Sequence, residues 1–291
     1  MFLNLFGDYL IDEGIITSEQ FDKIKDTQSK TRVKLGLIAV SEKMLTDKQA
    51  DEINRKQAIM DKRFGDIAVE LGYLTGEQVS KLLDLQGNAY MRFCQTASDL
   101  GILTLDQVES ALDDYFEKND FDRYAKDSLK ADDIDGIIPL FLDGIKEDIV
   151  DLVSVAVRTI NRLISTDLSI DRAQEVDSYE CDYIVSQYMD GDLLVKTGFS
   201  GSVEGVLKIA DSFAGETFDK IDEDSLDSVG EFINIINGLY ATSLSYRKIQ
   251  VELIAPELID GYSVVTGNDL VVVPLKVDGK SVDLVVDVSD K

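Results

Sequence analysis

The sequence contains no histidine. That absence excludes a histidine phosphorelay, hydrolase triads built on imidazole and most zinc sites. Any chemistry must rest on carboxylates, amides, hydroxyls or lysine. Cysteine is scarce: Cys94 and Cys181 are the only two and lie far apart, which suits a reducing compartment rather than a disulfide framework. Positive charge is also short, with 29 Lys and Arg against 56 Asp and Glu and a formal net charge of -27. Neither nucleic-acid phosphates nor an anionic membrane surface finds a complement in such a chain. No apolar run approaches the ~20 residues that span a bilayer. The opening stretch MFLNLFGDYLIDEG lacks the basic region of a secretory signal. The expectation is a soluble, cytoplasmic protein with no nucleic-acid partner, no membrane insertion, and no metal or cofactor bound by the chain itself.

What is present is globular in character. Hydrophobic residues make up 44% of 291 and charged residues 29%, enough for one to three domains. The first hundred residues repeat with a period of 29. Gly7, Gly36, Gly65 and Cys94 occupy equivalent positions, as do Thr17, Thr46, Thr75 and Thr104, and Gln20, Gln49, Gln78 and Gln107. Thr-x-x-Gln is a capping box, in which the hydroxyl serves an orphan backbone N–H and the amide reaches back to the cap. Each unit therefore starts its longer helix at the threonine. A shorter helix precedes it, closed by Gly14, Gly72 or Gly101; Lys43 stands at that place in the second unit, so the turn there should be less comfortable. Such helical hairpins cannot bury a core singly and must pair or stack.

These units, over about residues 3–117, resemble the N-terminal repeats of type II secretion ATPases, some of which bind cyclic di-GMP. By that resemblance the leading arginines of the motif are Arg63 and Arg92, the candidate nucleotide-binding residues. Lys34 and Leu5 stand at the equivalent places in the second and first units. A purely structural or partner-docking module is the other reading. No ATPase follows, because G-x-x-x-x-G-K-[ST] is missing.

The second half differs in kind. Residues 118–136 are polar and acidic and read as a linker or short connecting helix. Residues 139–165 read as one long amphipathic helix. Strands are expected at 182–189, 192–198 and 203–209, helices at about 211–219 and 225–246, and strands at 249–254, 270–276 and 281–287. Asp278-Gly279 makes the last pair a hairpin. The stretch GFSGSVEG at 198–205 reads as a glycine-rich hairpin rather than a phosphate loop. The fold class expected is α+β: an all-helical repeat module (1–117), the linker (118–136), and a domain with a largely antiparallel sheet (137–291).

One helix carries an unusual polar set. Within VGEFINIINGLY at 229–240, a wheel places Phe232, Ile236, Leu239, Tyr240 and Leu244 on one broad face. Asp227, Glu231, Asn234, Gly238, Thr242 and Ser245 fall on the other. Asparagine and glycine are poor interior helix residues, so this stripe reads as a docking surface. Together with FSGSVEGVLKIA and Pro256 after the following strand, the helix resembles the CheX/CheC family of chemotaxis phosphatases, whose motif falls here on Asp227, Glu231, Asn234 and Pro256. The resemblance implies a CheX-like α/β domain that hydrolyses the aspartyl phosphate of a CheY-like response-regulator receiver domain. Asn234 would orient the water and Glu231 would grip the receiver. Asp227 and Gly238 would belong to the contact surface. It further implies Mg²⁺ on the receiver and not on this chain, and a homodimer as an assembly open to it. The alternative is a non-catalytic adaptor that binds a receiver or cyclic di-GMP.

Overall fold

A computed structural model describes residues 1–57, 59, 60 and 62–290. It divides into two compact units, Phe2–Asp133 and the chain from Ile134 on.

The first unit is all helical. Four short-then-long helix pairs run α1 (Phe2–Asp12) and α2 (Ser18–Gln28), α3 (Leu35–Ser41) and α4 (Asp47–Gln57), α5 (Phe64–Glu70) and α6 (Gly76–Asp84), α7 (Ala89–Asp99) and α8 (Leu105–Lys118). Every threonine–glutamine pair closes its capping box, with the Gln backbone N–H donating to Thr Oγ1 at 3.2–3.3 Å and the Thr backbone N–H donating to Gln Oε1 at 2.8–2.9 Å. The turn glycines Gly14, Gly72 and Gly101 lie at φ 66–70°, and Lys43 is forced to φ 54° in the same turn. Gly7 shows why the short helix needs a glycine: a Cβ there would sit 2.1 Å from the Phe21 ring of the longer helix.

The pairs combine out of order. The first packs with the fourth through the rings of Phe2, Phe6, Tyr90, Phe93 and Tyr115, with centroids 5.5–6.3 Å apart. The second packs with the third through α3, α4, α5 and α6. Cys94 lies wholly buried beneath the ring cluster, and burial pushes its thiol up to about 12, so it packs as a small apolar group. Residues 118–136 are folded rather than extended. Helix α9 (Lys126–Ala131) is clasped to α7 and α8, with Lys130 Nζ 3.0 Å from Glu109 and 4.4 Å from the centre of the Tyr90 ring.

The second unit is α+β. Gly144, at φ 80°, divides the expected 139–165 helix into α10 (Ile134–Phe141) and α11 (Glu147–Leu163). The strands are β1 (Leu168–Ile170), β2 (Gln174–Glu175), β3 (Ser178–Gly191), β4 (Leu193–Gly201), β5 (Val251–Leu253), β6 (Glu257–Thr266), β7 (Leu270–Val277) and β8 (Lys280–Asp290). All pairings are antiparallel. The order is β1-β7-β8-β4-β3-β5, with β2 also on β7 and β6 also on β3. Asp278 and Gly279, at φ 49° and 73°, form the two-residue turn between β7 and β8.

The strand expected at 203–209 is instead helix α12 (Val203–Ala214), which ends at Gly215 before the expected 211–219 helix is complete. Ser202 caps it by accepting from the Gly205 N–H at 3.0 Å. GFSGSVEG is therefore a strand-to-helix junction and not a hairpin. Its helix start is sealed by protein: Ser202 Oγ donates to the Ser281 carbonyl at 2.6 Å, and a Cβ on Gly205 would lie 1.9 Å from that same oxygen. Helix α13 (Glu223–Tyr246) follows and lies with α12 on the sheet. Phe232 of α13 stacks over Phe199 of β4 at 6.0 Å and meets Phe213 of α12 at 5.5 Å. Among the described residues no helix is long and apolar enough to cross a membrane.

The cap geometry yields a direct expectation. Thr75→Ala should lower stability by about 0.5–2 kcal/mol and Thr75→Ser should be close to neutral. Urea unfolding of the full chain followed by far-UV circular dichroism measures both. An unmoved midpoint for Thr75→Ala would mean that the box contributes nothing.

Candidate functional site

Helix α13 begins at a capping box in which Asp222 Oδ1 accepts from the Ser225 N–H at 3.2 Å and Ser225 Oγ accepts from the Asp222 N–H at 2.9 Å. Its apolar arc buries Leu226, Val229, Phe232, Ile233, Ile236, Tyr240 and Leu244. Tyr240 Oη donates to the Asp148 carbonyl of α11 at 2.9 Å. One flank allows very close approach: Gly230 lies under Pro256, and an added Cβ would be 3.2 Å from the proline ring. That contact ties the helix to the β5–β6 connection.

The outward stripe holds Asp227, Glu231, Asn234, Thr242 and Ser245, all exposed, with Gly238 half-buried. A Cβ on Gly238 would meet nothing within 4 Å, so the position is open from outside. Leu239 departs from the wheel. It is 40% exposed rather than buried, because it sits at the margin of the apolar arc. Leu253 at the end of β5 and Ile254 after it are also exposed, at 38% and 48%.

Asn237 separates from Asn234 in the folded chain. It is wholly buried and enters a chain of side chains. Thr197 Oγ1 of β4 donates to Asn237 Oδ1 at 2.8 Å, and Asn237 Nδ2 donates to Gln187 Oε1 of β3 at 2.9 Å. Gln187 Nε2 then donates to Asn234 Oδ1 at 2.9 Å and to the Ile254 carbonyl at 2.8 Å. Gln187 and Thr197 are direct partners across β3 and β4. Sequence reading found Asn234 but neither Gln187 nor Thr197. Their only local signal is a polar residue at an inward position of a strand.

The first unit holds a second feature, a groove of about 960 Å³ between the second and third helix pairs. Arg32, Lys34 and Arg63 line it over an apolar floor that includes Phe64, Val79 and Leu83, and Asp66 is its one acidic lining residue. Lys34 Nζ lies 3.0 Å from Asp99, whereas Arg32 and Arg63 enter no salt bridge among the described residues. Arg63 is thus brought together with Arg32. Arg92, its expected companion, is not among the lining residues, because the fourth pair is taken up by the first.

Residues 183–276 match the family model described as chemotaxis phosphatase CheX. Among solved structures, the chain is similar to a CheC-like superfamily protein from Shewanella sp. PV-4, at 16% identity over 49% of this chain and 97% of that one, TM-score 0.43. It is similar also to a chemotaxis protein CheX from Desulfovibrio desulfuricans, at 13% identity over 50% and 100%, TM-score 0.43. A third is a CheX–CheY–BeF₃–Mg²⁺ complex from Borrelia burgdorferi, at 18% identity over 50% and 99%, TM-score 0.42. No curated protein matches the chain.

The two asparagines should respond differently to truncation. Asn237→Ala strands Gln187 Oε1 and the Thr197 hydroxyl in a dry interface and should cost about 1–3 kcal/mol. Asn234→Ala removes one acceptor of Gln187 Nε2 but opens that side to water, so it should cost about 0.5–1.5 kcal/mol, less than Asn237→Ala. Urea midpoints of the full-length variants compare them; equal losses would contradict the assignment of Asn237 as the buried member.

Proposed function

We propose that the second unit is a phosphatase for the aspartyl phosphate of a receiver domain, with the outward stripe of α13 as its working surface. One observation carries this reading. Glu231 and Asn234 stand about one turn apart, both exposed, inside the segment that matches the chemotaxis phosphatase model. Hydrolysis of an aspartyl phosphate needs water held in line with the P–O bond that breaks, and most of the barrier is lowered by positioning and charge compensation. The receiver brings its own Mg²⁺. This chain then has to supply a grip and a group that aligns water, and neither role calls for histidine. Glu231 pairs with the receiver's lysine, Asn234 holds the water through its amide, and Asp227 and the open Gly238 extend the contact. Water oxygen bonds to phosphorus, the phosphate departs, and the receiver's carboxylate is regenerated.

The site is an open helix face, while the large groove lies in the other unit. An open face flanked by Leu239 and Ile254 suits completion by a protein partner rather than capture of a small substrate. Asn234→Ala should lower turnover of a phosphorylated receiver by ~10²-fold with binding largely kept. Glu231→Ala should weaken binding too, through loss of a charge-assisted contact. Phosphate release and receiver affinity, measured on a panel of receiver domains from the same organism, separate the two effects. Wild-type turnover in the double variant would sink the phosphatase reading. Tight binding of phosphorylated receiver without hydrolysis would replace it with the adaptor.

A second reading concerns the basic groove. In an acidic chain, two guanidinium groups that enter no salt bridge among the described residues and stand over an apolar floor suit a ligand that offers both phosphate and a flat ring, since the arginine fork grips the one and stacks on the other. Cyclic di-GMP, the ligand implied by the repeats, has that chemistry. Calorimetry at tens of micromolar nucleotide should show heat that is lost in Arg63→Ala and in Arg32→Ala and kept in Arg92→Ala. No heat in the parent would leave the module as a packing or docking element.

A further inference from the structure

The amide chain behind α13 has a direction, and the direction has consequences for Asn234. An asparagine side chain can in principle turn over and exchange its carbonyl for its NH₂. Here the choice is made by a backbone group. The Ile254 carbonyl can only accept, and it is held in place because the Ile254 N–H donates to the Tyr188 carbonyl of β3 at 2.9 Å. Gln187 must therefore point Nε2 toward it, at 2.8 Å. The second Nε2 proton then faces Asn234, which must answer with Oδ1, at 2.9 Å. On the other side Gln187 Oε1 can only accept, so Asn237 must answer with Nδ2 and turn Oδ1 to the Thr197 hydroxyl. Gln187 is 1% exposed, and Asn237 and Thr197 are fully buried, so water cannot take the place of the inner partners, and reversing Gln187 or Asn237 would bury unmatched donors or acceptors.

The geometry points to Gln187 as a positioning residue that fixes the polarity of the Asn234 amide, with Oδ1 held inward and the Nδ2 protons directed outward. Nδ2 has no protein partner among the described residues. This inference rests on the reading of Asn234 as the water-aligning group and sharpens it. The outward group is a donor, so it holds the oxygen of the attacking water through one lone pair. The other lone pair is left to form the bond to phosphorus. The water's protons remain for the receiver's own acceptors. Without Gln187 the amide would spin between two orientations, one of which offers no donor.

Two measurements on the full-length protein test this. The first needs no receiver: side-chain amide NMR. In the parent, the Gln187 Nε2 protons should exchange slowly with water and the Asn234 Nδ2 protons fast, with the Asn234 amide well ordered. Gln187→Met should reduce that order. Gln187→Glu keeps the shape but loses the donor pair, so the Asn234 amide should turn over and its Nδ2 protons become slow. Slow Asn234 protons in the parent, or an unchanged Asn234 amide in the variants, would overturn the assignment. The two variants differ in what they do to the buried network, so either one that folds suffices.

The second is kinetic. On a receiver that the parent dephosphorylates, Gln187→Met should lower kcat on the order of 10-fold with KM within about 2-fold, as expected for a misplaced catalytic group. Added to Asn234→Ala it should lower kcat no further. An unchanged kcat, or a loss that multiplies with Asn234→Ala, would show that Gln187 does not act through Asn234. Absence of any turnover by the parent would remove the phosphatase reading, and the NMR arm alone would then decide the role of Gln187.

Discussion

The interaction on which the second unit depends is the burial of Asn237 against Gln187 and Thr197. An amide in a dry helix–sheet interface is costly unless every hydrogen-bonding atom is matched, and here the match exists in one register only. Sliding α13 by a turn would place Ile233 or Ala241 over Gln187 and Thr197 and leave the two strand residues without partners. The apolar contacts around Phe232 would tolerate small slips; the amide would not. That is the sense in which a polar group placed inside an apolar layer specifies geometry more sharply than the layer itself. The outward direction of Glu231 and Asn234 and the seating of Gly230 under Pro256 both follow from this registration.

The first unit is organised by a different constraint, the close approach of paired helices. A glycine on the short helix lets the long helix lie almost against its backbone, and the capping boxes start the long helices at a constant offset. In the fourth unit Cys94 stands at that place and is wholly buried, and α7 packs onto the aromatic cluster of the first pair. The pairs combine two by two, and the basic groove lies between the second and third pairs. The groove's cations stand out because the chain has so few of them to place.

Much of this was legible from short-range patterns. The period of 29, the threonine–glutamine boxes, the strained turn at Lys43, the Asp278-Gly279 hairpin and the long helix from about 225 all depend on residues within a few positions of one another. The failures have physical causes too. VEGVLKIA at 203–210 is rich in β-branched residues and alternates well enough to pass for a strand, yet Ser202 caps it and Ser281 of β8 holds its first turn, so it is helical. The 139–165 pattern keeps its apolar period across a break because Gly144 changes direction without disturbing the spacing. Strand β6 was missed because nearly all its residues are exposed, and an edge strand with both faces open has no alternation to read.

The sequence by itself determined which residue types were available: a chain without histidine, with one helical stretch (229–240) bearing a carboxylate and two amides. It also determined where most helices start, since a cap is a contact between residues three apart. Only the tertiary structure decided which amide is buried and which is presented. Asn234 and Asn237 are chemically identical and three residues apart. What distinguishes them is Gln187, some fifty residues earlier, brought beneath the helix by the pairing of β3 with β4. Likewise Arg63 is joined by Arg32 rather than Arg92 because helix pairs choose partners by side-chain fit and not by chain order. Local spacing encodes where a group sits on its own element; long-range packing alone sets what it faces, because that depends on surfaces which do not exist until the chain has folded.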